Sequence, residues 1–175
     1  IATERLVVAG NVKYDLEPDP SPLEWSERLT RLAAGRPVLA AGSTMDGEER
    51  QLLAALDHLR RSGLDPFVVL APRHPERFEG VAKLLAESGR VVARRSRPED
   101  PPGAEVLLLD TIGELGRAYR FAAAAFIGGS LVPTGGHNPL EPAVWGVPVL
   151  TGPHVHNFAE VYDEVLGAGA ARAGC

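Results

Sequence analysis

Residues 124–151 read AAFIGGSLVPTGGHNPLEPAVWGVPVLT. One apolar run (AAFIG, 124–128) opens the stretch, a second (VPVLT, 147–151) closes it, and a short helical pattern over 139–145 lies between them. Apolar runs without polar alternation are the mark of strands buried on both faces, and two of them joined through a helix form the unit of a parallel sheet. The connection carries glycines at 128, 129, 135 and 136, then His137 and Asn138 ahead of Pro139. Gly128 and Gly129 end a buried strand, where they admit either a tight turn or the close approach of a ligand to backbone.

The same alternation extends in both directions. Strand candidates are LVVA (6–9), PVLAA (37–41), FVVLA (67–71), RVVAR (90–94) and EVLLL (105–109), with helical periods over 22–34, 46–62, 75–88, 112–122 and 157–167. In 46–62, Leu52, Leu53, Leu56 and Leu59 form one apolar stripe. Ser21 with Glu24, Asp46 with Glu49, Thr111 with Glu114, Asn138 with Glu141 and Asn157 with Glu160 have cap-to-third-residue spacing. Gly35, Gly63 and Gly89 stop three helices. The expected fold is α/β: a Rossmann-like parallel sheet with helices on both faces. The break in the alternation, RSRPEDPPGAE (95–105), reads as a Pro-rich loop or a degenerate crossover.

At 175 residues and 45% apolar content the chain supports one substantial core. A net charge of -5, only 6% aromatic residues and no broad basic face disfavour nucleic acid as a partner. The single Cys175 forms no internal disulfide, and no stretch approaches a membrane span. A chain that starts at Ile1 and stops just after a strand-like fragment suits a piece of a longer protein.

In a doubly wound sheet ligands bind beyond the carboxyl ends of the strands. The loops at 42–48, 72–77, 110–114, 128–139 and 152–157 fall on that edge and hold four of the five histidines. The glycine clusters at 128–130 and 135–137 read as amide donors for a phosphate or a pyranose, against the plainer reading of a complicated turn. Glu141 reads as a capping-box member or as an acceptor for two ribose hydroxyls. Arg73 reads as a phosphate fork or a surface ion pair, with His74 beside it to cap or orient. Ser43 and Thr44 bind an acidic group or cap the next helix, and one of His154 and His156 is a candidate to reach the ligand. No metal-ligand spacing, G-x-S-x-G elbow or G-x-G-x-x-G fingerprint is present.

The run at 128–161, with GNVKYD (10–15), AGSTMDGEE (41–49) and LAPRHPERF (70–78), resembles the carboxyl-terminal half of a 3-deoxy-D-manno-octulosonic acid (Kdo) transferase. The resemblance covers nearly the whole chain. It implies the C-terminal half of a two-domain inverting glycosyltransferase of GT-B architecture, with residues 1–20 as interdomain crossover and 21–175 as a CMP-sugar donor-binding domain. It further implies transfer of Kdo from CMP-Kdo to a lipid A precursor at the cytoplasmic face of a bacterial inner membrane, the parent being membrane-associated. No metal and no cofactor are implied. Carried over by residue, Arg73, His74, Gly129, Ser130, Gly136, His137, Asn138 and Glu141 hold the donor, with Lys13, Ser43, Thr44 and His154 on the substrate side. The implied catalytic base is a glutamate of the amino-terminal half, outside this chain, so the fragment is expected to bind nucleotide without transferring. The alternatives are a UDP-sugar-dependent GT-B transferase or epimerase domain, and a noncatalytic docking domain.

Overall fold

The computed structural model describes residues 16–174; the LVVA run, GNVKYD with Lys13, and Cys175 lie outside the described residues. Residues 16–20 carry no regular secondary structure. The chain then runs α1 (Ser26–Ala33), β1 (Val38–Thr44), α2 (Glu48–Arg61), β2 (Phe67–Pro72), α3 (Phe78–Glu87), β3 (Val92–Arg94) and β4 (Val106–Leu108). It continues through α4 (Leu115–Ala118), β5 (Ala124–Ile127), α5 (Leu140–Ala143), β6 (Val149–Thr151), α6 (Ala159–Gly167) and β7 (Ala171–Ala173). The strands form one sheet in the order β3-β4-β2-β1-β5-β6-β7, and every neighbouring pair is parallel. This is the Rossmann-like arrangement expected from the alternation, with a short seventh strand at the edge formed by the terminal ARA fragment.

Both faces are covered where the apolar runs are longest. In β2, Phe67, Val69 and Ala71 pack in one cluster with Leu29 and Leu32 of α1, while Val68 and Leu70 pack in another with Leu56 of α2 and Val81 and Leu85 of α3. A third cluster joins Ala125, Ile127 and Val149 to Tyr162 and Val165 of α6. Burying each of these large side chains stabilises the fold by about 1.5–3 kcal/mol. Tyr119 passes over β1 at Gly42, where a β-carbon would run into its hydroxyl.

The segment between β3 and β4 crosses without a helix. Arg28 of α1 holds it by donating to the carbonyls of Arg94 (3.2 Å) and Glu99 (3.0 Å) and to the Asp100 carboxylate (2.6 Å). The glycine stops are present as expected, Gly35, Gly63 and Gly89 all taking positive φ. The helix starts differ from the expected caps. Helix α1 begins at Ser26, because Leu23 and Trp25 are drawn into the core ahead of it. Helix α2 is preceded by Gly47, not capped by Asp46, and Asn157 does not cap α6. Thr111 does meet Glu114, and Asn138 Oδ1 accepts the Leu140 N–H at 3.0 Å. Among the described residues no helix is long and apolar enough to cross a membrane.

Candidate functional site

The sheet delivers the ends of β1, β2, β4, β5 and β6 to one edge, and the glycine loop after β5 is its most heavily specified part. Gly128 lies against the backbone of Ser43 and Thr44, where no side chain fits. Gly129 then turns with φ +71°, a conformation that glycine adopts without steric cost. The loop folds back on itself: Gly136 N–H donates to Gly129 O at 2.7 Å and His137 N–H to Gly128 O at 3.2 Å. Asn157 clamps the tip, its side-chain amide donating to Thr134 O (2.7 Å) and its backbone N–H to Gly135 O (2.9 Å). Tyr162 supports the far end by donating to His137 O at 3.1 Å. Burial pushes the Tyr162 phenol up to about 12, so it remains a donor at every working pH.

The amides expected to face a phosphate are taken by the protein itself. Glu48, the first residue of α2, is fully buried and accepts the N–H groups of Gly129 (2.8 Å), Ser130 (3.0 Å) and Leu131 (2.9 Å), and that of Met45 (2.8 Å). The reading of Gly129 and Ser130 as an amide cradle open to a phosphate is therefore corrected. Ser130 has no exposed surface, and its hydroxyl donates to Ile127 O (2.5 Å) and accepts Gly152 N–H (2.9 Å), latching β5 to β6. Thr44 is corrected likewise: it is fully buried, its hydroxyl donates to Glu49 (2.7 Å), and its carbonyl accepts Arg77 (2.8 Å) and the Arg73 backbone N–H (3.0 Å). Gly136 is buried inside the folded loop, and His154 lies beneath it, its N–H donating to Ser130 O at 3.0 Å.

What remains open is a cleft made of two adjoining cavities, one at Arg73 and one at Glu141. A cavity of about 150 Å³ is lined by Ser43, Arg73, Thr111, Ile112, Gly113 and Leu115 among others. Gly113 also borders a second cavity, of about 260 Å³, whose wall includes Leu16, Arg117, Glu141 and Trp145. Ser43 enters the first with φ +55°, an unusual backbone state for a residue with a side chain and one that concentrates at functional sites. Arg73 is exposed, and among the described residues its guanidinium has no hydrogen-bond or ion-pair partner. It acts electrostatically on both His137 and Glu141. Burial, reinforced by Arg73, holds His137 below the ordinary histidine range against the pull of Glu48. Its buried Nε2 has no hydrogen-bond partner among the described residues. Burial raises Glu141 above the ordinary carboxylate range, with Arg73 opposing. Glu141 makes no hydrogen bond to another described residue, so the capping-box reading of its side chain does not hold. His74 is exposed and stands 3.9 Å from Glu76.

Two contributors escaped the sequence reading. Ile112 is 79% exposed on the cleft wall, a large apolar side chain left in water, which could have been found as the one apolar residue in the DTIGE loop. Glu48 escaped because three of its four partners lie more than eighty residues away, Met45 alone being local.

No family model matches the chain. The chain is 42% identical over 161 residues to a 3-deoxy-D-manno-octulosonic acid transferase from Haemophilus influenzae, covering 91% of this chain and 38% of that protein. It is 38% identical over 169 residues to the enzyme of the same name from Bordetella pertussis, covering 94% of this chain and 39% of the relative. The chain thus spans under two fifths of the length of either relative. The crystal structure of the C-terminal CMP-Kdo binding domain of WaaA from Acinetobacter baumannii superposes with a TM-score of 0.76 at 35% identity, covering 85% of this chain and 79% of that one.

Proposed function

This chain belongs to the 3-deoxy-D-manno-octulosonic acid (Kdo) transferase family, and from that premise we propose that it is the donor-binding domain of an inverting GT-B transferase that moves Kdo from CMP-Kdo to a lipid A precursor. The observation that carries the reading is the presence, in two adjoining cavities that share Gly113, of a guanidinium and a half-buried carboxylate that both lack a hydrogen-bond partner among the described residues. An arginine fork matches the oxygens of a phosphate monoanion or diester. A carboxylate that no described residue satisfies suits the two hydroxyls of a ribose. The exposed Ile112, on the wall of the cavity that holds Arg73, offers an apolar surface to a base. Asn138 fixes the first turn of α5 and so the direction from which Glu141 enters.

In the proposed reaction an acceptor hydroxyl attacks the anomeric carbon of Kdo from the face opposite CMP. The new glycosidic C–O bond forms as the bond to the phosphate oxygen breaks, and that oxygen keeps the electron pair. Arg73 would stabilise the charge that develops there, an interaction stronger in the transition state than in the bound donor. The hydroxyl proton goes to a glutamate base supplied by an amino-terminal domain. Acceptor, membrane surface and second domain belong to the proposed parent enzyme, at the cytoplasmic face of a bacterial inner membrane, and residues 1–20 are the proposed crossover toward that domain.

Calorimetric titration of the chain with CMP, UMP and UDP tests the reading. Binding of CMP in preference to UMP, with no gain from the second phosphate of UDP, is expected. Tighter binding of UDP would transfer the domain to the UDP-sugar enzymes, and a folded chain that ignores all three at millimolar concentration would leave only docking.

A further inference from the structure

The corner around Glu48 takes no part in the transfer just described, yet its fully buried carboxylate accepts four backbone N–H groups. Three successive amides, those of Gly129, Ser130 and Leu131, converge on its two oxygens at 2.8, 3.0 and 2.9 Å. Successive N–H groups aimed at one point make an anion nest, the same device that elsewhere receives a phosphate. Here the anion comes from the chain. Both Glu48 oxygens accept and neither donates, the pattern of a carboxylate rather than a carboxylic acid. A β-carbon on Gly129 would lie 3.2 Å from the His137 ring, and that ring responds electrostatically to both Glu48 and Arg73, which links the nest to the arginine of the cleft.

We propose that Glu48 is a built-in anion occupying the nest where a second donor phosphate would otherwise bind, and that it restricts the domain to donors carrying a single phosphate. The specificity half of this inference rests on the reading of the cleft as a nucleotide site. A nucleoside diphosphate entering beside Arg73 finds the loop's amides already used, and its outer phosphate meets a fixed negative charge. A monophosphate requires neither. Glu48 touches no reacting atom, so it acts as a specificity and positioning residue through the loop.

The test uses the whole chain labelled with ¹⁵N, as wild type, Glu48→Ala and Glu48→Gln. In Glu48→Ala, formate, inorganic phosphate and pyrophosphate should each shift the amides of Gly129, Ser130 and Leu131 saturably and raise the melting temperature. In the wild type these three signals should stay still, even where the same anions move signals near Arg73. The affinity ratio of CDP to CMP should rise about tenfold or more in both variants as the like-charge repulsion is removed. A folded Glu48→Ala chain whose three amides ignore every anion, or an unchanged CDP to CMP ratio in folded Glu48→Gln, overturns the proposal. If Glu48→Ala folds only when formate or phosphate is present, the nest is confirmed; if no anion restores it and Glu48→Gln keeps the wild-type ratio, the proposal fails. A wild-type chain that binds no CMP strikes the donor reading instead, and the amide titration still reports on Glu48.

Discussion

Glu48 and Glu141 stand in the first turns of two helices at the same sheet edge, and the protein treats them in opposite ways. Four backbone N–H groups meet Glu48, which is fully buried. Glu141 is half-buried, finds no donor among the described residues, and is pushed toward its neutral form by that burial. The arginines divide likewise. Arg94 is held by Glu79 and Asp110, and Arg77 by Glu49 at 2.9 Å, whereas Arg73 is left to solvent. A charge supplied with partners holds the architecture together; a half-buried one kept without them costs stability, and an exposed one is free to meet a ligand.

The sharpest way to break this division is Glu48→Ala. It strands four backbone N–H groups at once, those of Gly129 and Ser130 buried, and a loss of about 4 kcal/mol is expected from the chemical denaturation midpoint. Arg73→Ala should do the reverse, weakening CMP about 100-fold by calorimetry while shifting stability by less than about 0.5 kcal/mol. Equal effects of both changes on stability would erase the distinction.

Asp110→Asn probes the satisfied side of the edge. Burial alone would raise Asp110, but hydrogen bonds from Ser96 and the ion pair with Arg94 outweigh it and hold the carboxyl below its ordinary value. Its folded value is thus depressed, so its contribution is present above the ordinary range and is lost as pH falls through the lowered value. The variant should cost about 2 kcal/mol at pH 7, shrink to nothing in strong acid, and leave CMP binding unchanged.

Glu141→Gln has the smallest expected effect and sharpens the comparison most. With the folded value raised, the native state holds the proton more tightly than the unfolded chain, so stability falls as pH rises through that value. The free variant should therefore melt higher than wild type at pH 7 and match it below the ordinary glutamate range. CMP affinity should drop about tenfold. In the wild type, affinity should begin to fall on acidification at a higher pH than an ordinary glutamate would give.

Strand runs such as FVVLA and EVLLL announced the sheet because a parallel strand buried on both faces has no polar residue to disguise it. Helix stops were equally plain, since a positive φ narrows the choice to glycine. The caps misled: Asp46–Glu49 and Asn157–Glu160 have the right spacing, but Glu49 is drawn inward by Thr44 and Arg77 and Asn157 by the glycine loop. Spacing describes a helix alone, and tertiary partners outbid it. In the site, Arg73 and Glu141 could be placed at the edge from strand order alone. The use of the glycine amides could not, because their partner is an ordinary-looking glutamate at the head of an amphipathic helix. Ile112 was visible as the one apolar residue of its loop, but with no period around it nothing in the sequence marked it as exposed.

Glu48 and the glycine loop lie 81 to 83 positions apart in the chain. Their union means that neither is free to drift alone: an exchange at one end strips the other of its purpose. In a mutational library the two ends will show strong epistasis, single hits proving deleterious while paired changes that empty the corner and rebuild the turn survive together.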